Sequence, residues 1–369
     1  MSHSRDSTYR GNTTQRADAG VPSEDTSAVA LRWLHPAPTR ALTWFIKPPL
    51  LLGRGEDCAA RLKGAQISRH HAEIVLDRKV WVVRDLGSTN GVFVNGARVA
   101  TSPLSIGDIL RIGEWIGLVT HGRLDALESE PDFCHEHGIV QGRILAPVVE
   151  LALRGACTDL PIVIQGETGT GKELFARAIH AQSARPGPLL AVNCAALPES
   201  LAEAELFGYR KGAFTGADRN HPGYFRAAHQ GTLFLDEVAD LAMTLQPKLL
   251  RAIEQHEVIP VGESSPVKVD VRIVAATQVP LRTKVREQRF RADLAARLDG
   301  VTVALPPLRQ RVEEIPYLFE WFVRKHSGGQ PPELEPRLIE SLCLYRWPAN
   351  VRELELLARR MVGLHGGED

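Results

Sequence analysis

Gly166-Glu167-Thr168-Gly169-Thr170-Gly171-Lys172-Glu173 is the stretch around which the chain is organised. Leu160-Pro161-Ile162-Val163-Ile164-Gln165 precedes it, a short apolar, β-branched run that reads as a buried strand. Leu174-Phe175-Ala176-Arg177-Ala178-Ile179 follows, with apolar residues at helical spacing. Strand, glycine-rich turn and helix together make a phosphate cradle. The glycines let the backbone come close, so that N–H groups and the helix N-terminus point at phosphate oxygens. In such a cradle Lys172 reaches the β- and γ-phosphates of a nucleotide. The general pattern follows that lysine with a Ser or Thr whose hydroxyl holds Mg²⁺, and here Glu173 takes the place.

A second apolar run, Gly231-Thr232-Leu233-Phe234-Leu235-Asp236-Glu237, ends in two acids. As a strand beside the cradle it would present Asp236 and Glu237 at its C-terminal end. Asp236 suits Mg²⁺, and Glu237 can orient and polarise an attacking water. Strand candidates at 160–165, 189–192, 232–235, 271–276 and 300–304 alternate with helical stretches from Gly138 onward. Their continuous apolar character predicts a parallel sheet covered on both faces in an α/β domain.

The chain has 369 residues, long enough for two or three domains, and 44 basic against 44 acidic residues. That balance lacks the footprint of a dedicated nucleic-acid binder. Cys58, Cys134, Cys157, Cys194 and Cys343 are scattered with no C-x-x-C pair, which suits free thiols in a reducing cytoplasm better than a disulfide framework or a zinc site. Cys134, His135 and His137 have no second ligand cluster nearby and are not read as a metal site. No stretch is long enough to span a bilayer.

Residues 1–26 are polar and read as a disordered tail, in which Thr8, Thr13, Thr14 and Thr26 lie. From 27 to 121 the texture changes to short strand-like runs separated by Gly, Asn, Asp and Ser, with strong turn signals at Asn90-Gly91 and Asn95-Gly96. Such spacing predicts an all-β sandwich. Leu52-Gly53-Arg54, Ser68-Arg69-His70-His71, Asp85-Leu86-Gly87-Ser88-Thr89-Asn90-Gly91 and Val94-Asn95-Gly96 make this segment resemble a forkhead-associated (FHA) domain. The resemblance implies recognition of phosphothreonine peptides. Arg54 would pair with the phosphate, with Ser68 and Arg69 adding contacts, and Asn90, beside Thr89, would bond the peptide backbone. His71 and Asn95 are expected to hold loops in place.

Residues 122–138 read as an acidic linker, and for residues 139–308 and 309–369 the family resemblance carried by the following motifs implies an α/β ATPase subdomain and its small helical lid. Gly212-Ala213-Phe214-Thr215-Gly216-Ala217, after Glu205-Leu206-Phe207-Gly208-Tyr209-Arg210-Lys211, makes the segment resemble the AAA+ domain of bacterial enhancer-binding proteins, activators of sigma-54 RNA polymerase. Asn193-Cys194-Ala195-Ala196-Leu197, the 290–298 run, Pro306-Pro307-Leu308-Arg309 and Trp347-Pro348-Ala349-Asn350-Val351-Arg352-Glu353-Leu354 extend the match. In that family Glu commonly follows the cradle lysine, so Glu173 is a family trait. The resemblance implies ATP and Mg²⁺ as cofactors and a ring of identical subunits, commonly a hexamer. Phe214 and Thr215 would touch sigma-54. Arg291 and Arg297 would serve a neighbour's nucleotide as arginine fingers. Asn193 would restrain Glu237, and Thr277 and Arg352 would contact nucleotide.

Most family members continue into a helix-turn-helix, and the final residues, glycine-rich and acidic, lack the charge for DNA. The sequence thus predicts a cytoplasmic, ATP-hydrolysing activator of sigma-54 polymerase, gated by phosphothreonine recognition, with neither direct DNA binding nor membrane insertion. The alternatives are a AAA+ remodeller of another target and a phosphopeptide-binding adaptor with an inactive ATPase.

Overall fold

The computed structural model describes residues 27–36, 42–45, 47–123, 134–136, 138–328 and 334–365. The four tail threonines lie outside them, as does His137.

The N-terminal unit is a two-sheet β sandwich. One sheet has six strands in the order Leu42–Trp44, Ser27–His35, Trp115–Arg123, Ile109–Ile112, Val92–Val94, Ala97–Val99. The other has five, in the order Ala60–Arg61, Leu50–Gly53, Ala72–Asp77, Val80–Asp85, Thr101–Pro103. Leu31, Trp33, Leu52, Ile74, Val83, Leu110, Ile112 and Val119 fill the space between them. Alternation places every second residue there, because successive side chains of a strand point to opposite faces. Ile109–Ile112 departs from simple alternation, since all four residues are buried. Its outward pair, Ile109 and Arg111, is covered as well, by the lid of the second unit.

Where the sequence reads as linker over 122–138, Cys134–Glu136 pairs with Ile139–Gln141 as a short antiparallel ladder.

The second unit carries a five-stranded parallel sheet in the order Leu189–Asn193, Thr232–Asp236, Arg272–Thr277, Ile162–Gln165, Val301–Ala304. All five expected strands form. Ile162, Ile164, Phe234, Val274 and Ala276 pack on one face with Val149, Ala152, Phe175 and Ile179 of the helices Ala146–Ala156 and Lys172–Gln182. Val163, Leu233, Leu235, Ile273 and Ala275 pack on the other with Leu206, Leu249, Leu294 and Leu298 of three further helices. Burial on both faces is why these strands read as continuous apolar runs. The lid follows as the helices Ile315–His326, Pro336–Leu344 and Asn350–His365. Among the described residues no helix is long and apolar enough to cross a membrane.

Candidate nucleotide and phosphopeptide sites

Gln165, Asn193, Asp236 and Thr277 end four strands at one edge of the parallel sheet, with Gln165 opposite Thr277 and Asn193 opposite Asp236 in register. In an open parallel sheet this edge is where ligands bind. The turn after Gln165 takes left-handed φ at Gly169 (77°) and Gly171 (104°), and Gly171 stands immediately before the helix Lys172–Gln182. An added Cβ at Gly169 would strike the carbonyl oxygen of Ala349 in the lid, so only glycine lets cradle and lid approach this closely.

Lys172 is buried and donates to the carbonyl of Gly166 (2.9 Å), with Glu237 Oε1 at 3.6 Å. Thr170 Oγ1 donates to the carbonyl of Glu167 (2.8 Å), and Thr168 offers its own carbonyl to Asn350 (2.9 Å). Glu173 is exposed and pairs with Arg177 one turn on (2.7 Å). Asp236 accepts the Glu237 N–H (3.0 Å), and Glu237 has a left-handed backbone conformation at φ 50°. Burial, reinforced by the neighbouring Glu237, pushes the Asp236 carboxyl above its ordinary pKa against the pull of Lys172.

Gln278 also reaches this cluster, donating from Nε2 to Glu237 Oε1 (2.8 Å). Asn193, expected by resemblance to restrain Glu237, accepts the N–H groups of Ala195 and Ala196 (3.0 and 3.2 Å) and caps a 3₁₀ turn. Thr277 is fully buried, its hydroxyl bonded to the carbonyl of Val279 (2.8 Å), while its own carbonyl accepts the Gly166 N–H (3.1 Å). Gln278 follows directly on the end of the strand Arg272–Thr277, but nothing in the sequence shows which group its amide meets.

Glu167 is the joint between cradle and lid. Arg309 holds both its carboxylate oxygens (2.8 and 2.7 Å), and Asn350 Nδ2 adds a third bond (3.2 Å). Arg309 thereby draws the Glu167 carboxyl below its ordinary pKa. Asn350 is fully buried in the left-handed region (φ 54°) and also accepts the Leu308 N–H (2.8 Å). Beside it the Arg352 N–H donates to the carbonyl of Gly169 (3.3 Å). Arg309 and Asn350 stand in two motifs quoted above, but their meeting point, Glu167, lies far away in sequence.

Arg291 precedes the helix Ala292–Leu298 and grips Asp293 with two bonds (3.0 and 2.6 Å), while its N–H donates to the buried Gln246 (2.8 Å). Arg297 lies exposed in the last turn of that helix. Among the described residues neither guanidinium bonds to Lys172, Asp236 or Glu237 of its own chain.

The 212–217 loop projects between Gly212 (φ 83°) and Gly216 (φ 98°). Phe214 is 39% exposed and rests edge-on against Tyr209, their ring centroids 5.0 Å apart, and Thr215 is exposed.

On the sandwich the five residues singled out lie on adjoining loops. The Arg54 N–H donates to the carbonyl of Ser68 (3.1 Å), and the Thr89 N–H donates to Ser68 Oγ (3.3 Å). Arg69 is exposed beside them, and Asn90 Nδ2 ties its loop to the carbonyl of Gln66 (2.8 Å). His71 is fully buried. Its Nδ1 accepts the Ser68 N–H (3.1 Å), so Nε2 carries the proton and donates to the carbonyl of Gly91 (3.1 Å). One neutral histidine thus locks the 68 and 91 loops together, while Asn95 braces Asp108 and Ile109.

Comparison with known proteins finds three family models that match parts of the chain. Residues 139–304 match the sigma-54 interaction domain, residues 50–113 the FHA domain and residues 309–369 the AAA+ ATPase lid domain. A uric acid sigma-54-dependent regulator of Escherichia coli, UacR, is 45% identical over 245 residues, covering 65% of this chain and 41% of its own length. NtrC of a Bradyrhizobium species is 49% identical over 211 residues, covering 56% and 44%. The chain therefore spans less than half the length of these two relatives. NtrX of Brucella abortus, a solved structure, superimposes with a TM-score of 0.58 at 37% identity, covering 63% of this chain and 53% of that one. A second NtrX structure, in complex with ATP, gives 0.57 at 38% identity, covering 61% and 50%.

Proposed function

From the membership of residues 139–304 in the sigma-54 interaction domain family, we propose that the protein is an ATP-hydrolysing activator of sigma-54 RNA polymerase, governed by phosphothreonine recognition at its FHA domain. The observation that carries this reading is the convergence of Lys172, Asp236, Glu237 and Gln278 at the edge of the parallel sheet beside the glycine-rich turn.

ATP is the substrate. The backbone of Gly166–Gly171 and the N-terminus of the following helix cradle its phosphates, and Lys172 gives up its bond to the Gly166 carbonyl to meet them. Asp236 fits a divalent cation, since its hard oxygens sit at a partly buried position that disfavours an unpartnered charge. Bound there, Mg²⁺ would neutralise charge on the phosphate oxygens. Glu237 accepts a proton from the attacking water once its carboxylate leaves the Gln278 amide. Among the described residues the arginines that would complete the charge stabilisation make no bond to Lys172, Asp236 or Glu237, which favours supply by a neighbouring subunit in a ring. The 212–217 loop, an exposed Phe and Thr between two left-handed glycines, is a contact suited to sigma-54 and to remodelling closed promoter complexes into open ones. Arg54, Ser68, Arg69, Thr89 and Asn90 would receive the phosphothreonine.

Glu237→Ala should bind ATP with near-normal affinity and lose turnover by about 10²–10⁴-fold, the ordinary loss on removing a general base. Single-turnover hydrolysis at saturating ATP reads this directly, and unchanged turnover would remove Glu237 from the mechanism.

A further inference from the structure

The FHA sheet turns an apolar face away from its own core. Leu31, Trp33, Leu110, Ile112, Trp115 and Val119 point into the sandwich. Their strand neighbours Leu34, Ile109, Ile116 and Leu118 instead join the hydrophobic cluster of the lid, with Phe319, Leu342 and Cys343. Burial on both sides of these strands means that this outer face is built as a second interface. Ile109 and Ile116 are buried there to 1% and 0% exposure.

A polar joint is set into this apolar contact. Glu340, on the lid helix Pro336–Leu344, is 5% exposed and receives Arg111 Nε at 2.6 Å and the Gly96 N–H at 3.2 Å. Arg111 also lies over the ring of Phe93, 3.7 Å from its centroid. At the edge of the same contact Arg32 meets Glu313 at 3.3 Å. A buried ion pair is weak evidence of stability, because desolvation offsets the attraction. Its value is in positioning, since either partner left alone would be strongly disfavoured.

We infer that the FHA–lid contact couples the phosphopeptide loops to the ATP cradle, with Glu340 as its joint. This deepens the function proposed above and rests on it. Each end of the connection is short. On the FHA side the phosphopeptide loop ends at Asn90-Gly91, the strand Val92–Val94 follows at once, and Gly96 bonds Glu340 at the next turn. Phe93, in the middle of that strand, is the residue Arg111 covers and opposes in register. A shift of the 88–91 loop on binding phosphate thus reaches both donors of Glu340. On the lid side the helix bearing Glu340 leads to Trp347, whose Nε1 donates to the carbonyl of Leu342 (2.9 Å), and then to Asn350. Asn350 and Arg309 hold Glu167 of the cradle. The lid angle set by nucleotide and the loop geometry set by phosphopeptide are therefore fixed through one rigid body. Because such coupling is reciprocal, each ligand changes the affinity for the other by the same factor.

Reciprocity lets ADP alone serve as the probe. Amide hydrogen exchange on the full chain, with and without saturating ADP, should show protection at 166–172 and an accompanying slowing at 88–96 on the order of 5-fold or more, the low end of ordinary coupling. In Arg111→Met/Glu340→Met, where an apolar pair replaces the buried ions and keeps the contact filled, protection at 166–172 should persist while the change at 88–96 disappears. Glu340→Gln, a milder change, should weaken it. Protection at 166–172 with no change at 88–96 in the wild-type chain overturns the coupling. A change at 88–96 that survives in the double variant overturns the joint. Absence of protection at 166–172 in the wild-type chain would instead sink the nucleotide site itself.

Discussion

Asp236 shows how a residue suited to its chemistry works against its fold. Its carboxyl is pushed above the ordinary range, first by burial and next by Glu237, with Lys172 opposing. A group whose folded pKa is raised contributes stability that is fully present below the unfolded value, near 3.8, and lost as pH rises through the raised folded value. At neutral pH the ionised side chain is therefore a net cost. Asp236→Asn should raise the unfolding free energy at pH 7 by up to about 1 kcal/mol, after allowance for solvent screening at this half-buried position. The gain should vanish as pH falls toward 4. Thermal unfolding of the two chains at pH 7 and pH 4, without nucleotide or metal, checks the sign. A destabilised variant at pH 7 would show that the bond from the Glu237 N–H outweighs the cost of the charge.

At the scale of elements, what could be read from sequence followed from periodicity and local punctuation. The five parallel strands were legible because burial on both faces makes them continuous apolar runs bounded by polar turns. The cradle was legible because its glycines, its lysine and its helix are contiguous. Glu167, Arg309 and Asn350 were not, since their meeting depends on how the lid folds back over the turn. Gln278 was legible as a polar residue at a strand end, but a strand end fixes where a side chain starts and not the partner it selects. The FHA–lid contact did leave a trace. Ile109-Leu110-Arg111-Ile112 has no polar face of the usual kind, which is the pattern of a strand covered on both sides. The 212–217 loop gives a test at this scale. Its tip carries two glycines with nothing within 4 Å of an added Cβ and an exposed Phe214–Thr215 pair. Among the described residues none of its hydrogen bonds or ring contacts goes to Lys172, Asp236 or Glu237, so Thr215→Ala should leave basal ATP hydrolysis within about twofold. Capture of sigma-54 in the presence of a transition-state ATP analogue should fall by at least about tenfold, as for loss of an interface anchor. Capture equal to that of the wild-type chain would take the contact away from this loop.

For the whole molecule, the decisive feature is that the proposed catalytic constellation is divided. Lys172, Asp236 and Glu237 gather at one edge of the sheet, while Arg291 is turned to Asp293 and braced by Gln246, and Arg297 stands exposed on the same helix. A site completed by a neighbour requires a head-to-tail interface, which forms a ring when the rotation between subunits closes. This has a consequence that a site complete within one chain cannot reproduce. Glu237→Ala retains its arginines, and Arg291→Ala retains its cradle and acids, so each alone should be inactive while their mixture makes some competent interfaces. With random assembly of equal amounts, about one interface in four joins an intact Glu237 to a neighbour's intact Arg291. ATP turnover of the mixture should therefore recover to about a quarter of the wild-type value per subunit, although both parents are silent. Recovery should depend on total concentration, because dilution below the assembly threshold separates the two halves of every site. Mixing in turnover assays at several concentrations measures both effects. A mixture as silent as its parents, at concentrations where sedimentation shows mixed rings, would assign Arg291 to its own subunit's chemistry.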